Sequence, residues 1–108
     1  MKHIIVEITY TQSIEKIDEH LHAHRNFLDE GYKKNILLAS GPQNPRTGGI
    51  VIARTESLEE LRSFFRQDPF SLNQCADYKF IEFIPVKFHS DHAGWFQPEH
   101  FLNANQLT

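Results

Sequence analysis

An α+β fold with the element order βαββαβ is predicted for this chain by three observations. The run His3 to Tyr10 alternates in the two-residue rhythm of a strand, two later stretches carry apolar residues at helical steps of three and four, and Gly31, Gly41-Pro42 and Pro69 mark stops between elements. That order is a split pair of crossover units, which builds a four-stranded antiparallel sheet with both helices on one face, the ferredoxin-like topology.

The first strand places Ile4, Val6, Ile8 and Tyr10 on one face and Ile5 and Thr9 on the other. Thr11 or Ser13 supplies a side-chain acceptor for the free N–H groups of a helix, with Glu15 where the dipole favours an anion. The helix is expected to run to about Gly31, with Ile14, Ile17, Leu21 and Leu28 as its apolar stripe and His24 in the gap. His20 lies one turn before His24, whereas His22 points nearly the opposite way. Asn35 to Ser40 is the second strand, ended by Gly41-Pro42, and Ile50 to Arg54 is the third. The loop between them, Gly41 to Gly49, is longer than a tight hairpin needs, and long loops on rigid scaffolds often hold ligands. Ser57 and Glu60 form a capping box before Leu58, Leu61, Phe64 and Phe65, and Pro69 predicts the helix end near Gln67 with Asp68 at the exit turn. Tyr78 to Val86 is the last strand.

With helices on one face only, Ile5, Ile81 and Phe83 leave an apolar second face, for which a homodimer is the expected cover. Residues 1–88 are read as the domain and 89–108 as a C-terminal arm. The arm is polar apart from Trp95, Phe96, Phe101 and Leu102, which are expected to dock it over part of a cleft or a partner subunit.

Composition narrows the function. The chain has 108 residues, 40% of them hydrophobic, with nine Phe, which suits a single core. A net charge of −3 and the lack of any Lys/Arg run argue against nucleic acid as a partner. No apolar run is long enough for a signal-peptide core or a membrane span, and the single Cys75 cannot form an intrachain disulfide, so a cytoplasmic location is expected.

His24 is the candidate for chemistry, because a titratable ring occupies a position where Leu would pack better. Three roles are open to it from the residues: a core histidine bonded to a backbone carbonyl, a general acid/base, or a metal ligand. Asp68 either caps a local turn or orients the His24 ring, the latter if the second helix packs beside the first. His20 and His24 have the i, i+4 spacing of a chelating pair, but no third ligand and no HExxH glutamate accompanies them, and no metal is expected. His89-Ser90-Asp91-His92 has metal-compatible types in a polar tail and reads as surface. Arg46 beside Gly48-Gly49 is either a soluble loop tip or a bidentate partner for a substrate carboxylate. Ser40 and His20 complete the candidate substrate-binding set. Cys75 has no activating neighbour in sequence and reads as a buried, inert thiol.

The spacing from His24 through Leu28 and Ile36-Leu37-Leu38-Ala39-Ser40 to Gly41-Pro42, followed by Asp68-Pro69-Phe70, resembles the YCII-related family over roughly Met1 to Phe88. The resemblance implies a dimeric α+β barrel, in which two ferredoxin-like sheets face one another, and a His/Asp site that maps onto His24 and Asp68. It extends distantly to muconolactone isomerases, and some members resemble enzymes that eliminate chloride from chlorinated aromatics. An arginine that often precedes the family histidine is absent from the His20 to Ala23 stretch, and the tail from His89 lies beyond the usual domain. The expected function is a small-molecule enzyme of the isomerase, lyase or dehalogenase type, without cofactor, using His24 and Asp68 as an acid-base pair. The alternative is a non-catalytic dimeric module that binds a small ligand or a protein.

Overall fold

A computed structural model describes residues 1–96. Phe101 and Leu102, expected among the docking residues of the arm, lie outside the described residues. Strand β1 (Lys2–Tyr10) leads into helix α1 (Ile14–Lys33), followed by β2 (Leu37–Pro42), β3 (Gly48–Thr55), α2 (Leu58–Phe65), α3 (Pro69–Leu72) and β4 (Ala76–Phe83). The sheet order is β2-β3-β1-β4 and every neighbouring pair is antiparallel, the ferredoxin-like arrangement.

Alternation along β1 sorts the two faces. Ile4, Val6 and Ile8 are buried under the helices together with Ile17, Leu28, Leu61, Phe65 and Phe70. On the opposite face Ile52, Ile5 and Ile81 are direct neighbours across β3, β1 and β4, with Ile81 and Phe83 exposed. Ile14 departs from the expected stripe: as the first residue of α1 it is 38% exposed, so the buried stripe begins at Ile17.

The ends of α1 show where sequence punctuation misleads. Ser13 is the N-cap and accepts from the Lys16 N–H at 3.3 Å. Gly31 does not stop the helix, which continues to Lys33 and closes on Asn35 at φ 59°. The Ile36 N–H bonds Gly31 O and the Asn35 N–H bonds Tyr32 O, the paired reversed bonds of a left-handed terminus. Gly31 serves packing instead: a Cβ there would come within 2.7 Å of Leu37 and 2.9 Å of Phe64.

Other boundaries shift for local reasons. Strand β2 starts at Leu37, because Asn35 is left-handed, and it carries a bulge between Leu37 and Ala39. Pairing continues to Pro42 opposite Gly49, so the connection shortens to residues 43–47. The Ser57 half of the capping box forms, with Ser57 Oγ accepting from the Glu60 N–H at 3.1 Å. Strand β4 ends at Phe83, two residues before Pro85, which has no N–H to donate.

The segment after β4 docks on the open face rather than beside the cavity described below. A short turn at Ser90–His92 leads into α4 (Ala93–Phe96). Phe96 lies 5.2 Å from the His3 ring and stacks on Phe88, and Trp95 lies under the Arg54 guanidinium at 3.9 Å. Arg54 also donates to the carbonyls of Trp95 (3.1 Å) and Asn35 (3.0 Å), tying this segment to the exit of α1. These contacts sit at the His3 end of β1, whereas the cavity lies at its Ile8 and Tyr10 end.

Candidate active site

Helical steps of three and four place Leu21, His24, Arg25 and Leu28 along one face of α1, and that face forms a wall of a cavity of about 480 Å³. Ile8, Tyr10 and Val51 of the sheet contribute the floor, Ser40 to Pro42 and Arg46 come from the β2–β3 hairpin, and Phe70 comes from α3.

Behind this wall stands Asp68. The expected exit turn is instead the N-cap of α3, with Pro69 at its first position, where a missing N–H costs nothing. Asp68 is fully buried, and its carboxylate is saturated with donors. Oδ1 accepts from His24 Nδ1 at 2.8 Å and from the Phe70 N–H at 3.1 Å, and Oδ2 accepts from the Tyr78 hydroxyl at 2.6 Å. A carboxylate acceptor at Nδ1 makes that nitrogen the one carrying the proton, leaving Nε2 as the acceptor in the neutral ring. The His24 side chain is 10% exposed and its ring stacks on Phe70 at 4.0 Å and 11°, which fixes its plane. Three consecutive residues thus serve one histidine: Asp68 holds its nitrogen, Pro69 starts the helix that presents the carboxylate, and Phe70 carries the ring.

Tyr78, the third partner of the Asp68 carboxylate, is a residue that no sequence motif singles out. Its register opposite Ile8 turns it to the helix-covered face, beneath Asp68. Burial, then the Asp68 charge and their hydrogen bond, push the phenol far above its ordinary range, so Tyr78 stays a donor. The only sequence signal was strand parity, since Ile81 and Phe83 on the open face imply Tyr78 on the other.

Of the expected substrate-binding residues, Ser40 and Arg46 line the cavity and His20 does not. The wall of α1 is centred between His24 and Arg25, on Leu21 and Leu28, and a residue one turn before His24 falls to its far side. Ser40 Oγ hydrogen-bonds the Tyr32 hydroxyl at 2.6 Å. Arg46 donates to Asp18 Oδ1 at 2.6 Å and lies 5.8 Å from the Tyr10 ring centroid; the Asp18 bond, then Tyr10, raise its pKa further. Cys75 is buried with its Sγ 3.4 Å from Phe70 O, and burial, reinforced by the Asp68 charge, pushes its thiol up and away from reactivity. Among the described residues no group of three or more His, Cys, Asp or Glu side chains is placed to hold a metal ion, and no helix is long and apolar enough to cross a membrane.

The comparisons with known proteins agree with this architecture. No curated protein matches the chain. A solved structure of 5-chloro-2-hydroxyhydroquinone dehydrochlorinase (TftG) from Burkholderia phenoliruptrix AC1100, in complex with 2,5-dihydroxybenzoquinone, is similar to it in fold. The TM-score is 0.65 at 22% identity, over 85% of this chain and 98% of that one. The model of the YCII-related domain matches residues 1–84, the whole sheet with both of its covering helices, and the chain belongs to the YCII-related family.

Proposed function

We propose that this protein is a cofactor-independent enzyme that moves a proton on a small, ring-sized molecule, either in an isomerisation or in an elimination of the kind a dehydrochlorinase performs. His24 Nε2 is the acid-base atom and Asp68 the residue that orients the ring and stabilises its charged form. One observation carries this reading: a fully buried carboxylate, 2.8 Å from Nδ1 and satisfied by two further donors, stands behind a histidine on the wall of a cavity. A merely structural histidine needs no such buried partner, and the desolvation of Asp68 is sustained by three hydrogen bonds. Proton abstraction at one atom with departure of a leaving group such as chloride at another needs a base, an orienter and a dry pocket. The apolar floor of Ile8, Leu28, Val51 and Phe70 supports the last of these. The likeness in fold to a dehydrochlorinase supports the choice of reaction class.

Turnover tests it. The full chain is offered hydroxylated and chlorinated ring compounds, 5-chloro-2-hydroxyhydroquinone among them, with chloride release and absorbance as readouts. His24→Ala, still folded by circular dichroism, is expected to lose about 10²–10⁴-fold in rate. Retained turnover in that variant returns His24 to a packing role, and binding without turnover across the compounds favours the binding-module reading.

We further propose that the open sheet face is covered by a second copy of the chain. The cross-strand row Ile52, Ile5 and Ile81 is apolar, and the next row pairs Glu7 with Lys79, so the patch offers apolar area and both charges to an identical surface.

A further inference from the structure

We infer that Arg25 is the anchor for an anionic group on the ligand, so that the cavity takes a planar, ring-sized acid; this rests on the cavity being the ligand site, as proposed above. Arg25 occupies a position on α1 that belongs to the cavity-facing stripe, four residues after Leu21 and three before Leu28. An apolar residue would continue that stripe, yet a guanidinium stands there. It is exposed, and among the described residues it makes no hydrogen bond or ion pair. Arg46, the other cation lining the cavity among the described residues, already pairs with the Asp18 carboxylate at 2.6 Å, which offsets its charge toward a second anion. Among the described residues no acidic side chain lines the cavity. On a chain of net charge −3 the cavity wall is therefore locally positive, and an apolar-floored cleft focuses such a field. Leu21, Leu28, Val51 and Phe70 provide contact for a hydrocarbon ring, while His24 and Arg25, adjacent in sequence and about 100° apart around the helix, address two different positions of it. The arrangement divides labour: Arg25 binds a carboxylate or acidic hydroxyl that does not react, and His24 addresses the atom that does.

The test is equilibrium binding of two non-reacting probes of the same shape, benzoate and benzamide, to the full chain by calorimetry. The His24 ring resonances report whether the probe enters the cavity. Benzoate is expected to bind about tenfold more tightly than benzamide, the size of one charge-assisted contact at a partly wet site. Arg25→Gln is expected to erase that preference, Arg25→Lys to keep most of it, and Arg46→Gln to change it little. Equal binding of the two probes, no benzoate binding, or an undiminished preference in Arg25→Gln overturns the assignment. Since neither probe reacts, the outcomes separate. Equal binding of the two probes by the unsubstituted chain with turnover intact removes only the anion anchor, and an Arg25-dependent preference in a chain without turnover removes only the catalytic reading.

Discussion

Asp68 Oδ2 accepts from the Tyr78 hydroxyl, and Tyr78→Phe leaves that oxygen buried without its donor. The variant is expected to lose about 1.5–3 kcal/mol in urea unfolding, as for other hydrogen bonds to a charged group. Alkaline titration gives a second signature. The folded phenol is held above its ordinary value, as is the Cys75 thiol, so over that range the unfolded chain releases protons that the folded chain keeps. The contribution of these two groups to stability is therefore fully present below about pH 8 and is lost as pH rises through about 9 and 10, by up to about 1.4 kcal/mol per pH unit for each group. In Tyr78→Phe the fall beyond about pH 10 is expected to be shallower by one proton's worth. Gln74 is a residue of a different kind. It sits at φ 55° after α3, where the Cys75 N–H reaches Phe70 O and the Gln74 N–H reaches Ser71 O. A glycine relieves the left-handed strain, and Gln74→Gly is expected to raise the unfolding midpoint by the equivalent of about 0.5–1 kcal/mol.

In the β2–β3 hairpin one position has no room for a side chain, while another, Gly41, faces open space. At Gly48 a Cβ would fall 1.8 Å from Ile8 O, so the glycine is required by the approach of β1. Gly48→Ala is expected to cost about 1–3 kcal/mol and to broaden the amide resonances of Ile8 and Thr9 first, since these residues pair with Gly49 and Gly48. Element type was legible in the residues because β1 alternates cleanly and α1 keeps its period from Ile17 through Leu28. Boundaries were less so: Gly31 reads as a terminus but is a packing contact, and Asn35, the true left-handed residue, reads as the start of a strand. The site divides in the same way. His24 was visible as a break in a stripe and Asp68 as the residue before a proline. The burial of Asp68 and its bond to Tyr78 depend on how α3 meets β4, which no local pattern encodes. Arg25 was legible only in retrospect, as the fourth member of a stripe whose other members are Leu21, His24 and Leu28.

At the scale of the whole molecule the two sheet faces have different fates. One is covered by the helices except over the cavity floor, while the other carries the segment with Trp95 and Phe96 over Arg54 and His3 and is exposed along β4 at Ile81 and Phe83. Light scattering at micromolar concentration is expected to give twice the chain mass, and Ile81→Asp to give a folded chain of single mass, because a carboxylate in that row has no partner across the interface. A single-mass wild type removes the dimer.

The carboxylate shared by His24, the Phe70 N–H and Tyr78 makes one residue both a foundation and a tool. A library of random variants screened for activity would return Asp68 as essential whatever its chemistry, since a chain with its cap, core and ring support undone has little left to assay. The informative positions are His24, one hydrogen bond away, and Arg25 on the cavity wall, which can change while the Phe70 N–H and Tyr78 bonds to Asp68 stay in place. On the function proposed above, Arg25 is the side chain to vary for a different ligand, His24 the one to keep for turnover, and Asp68 the one to leave alone.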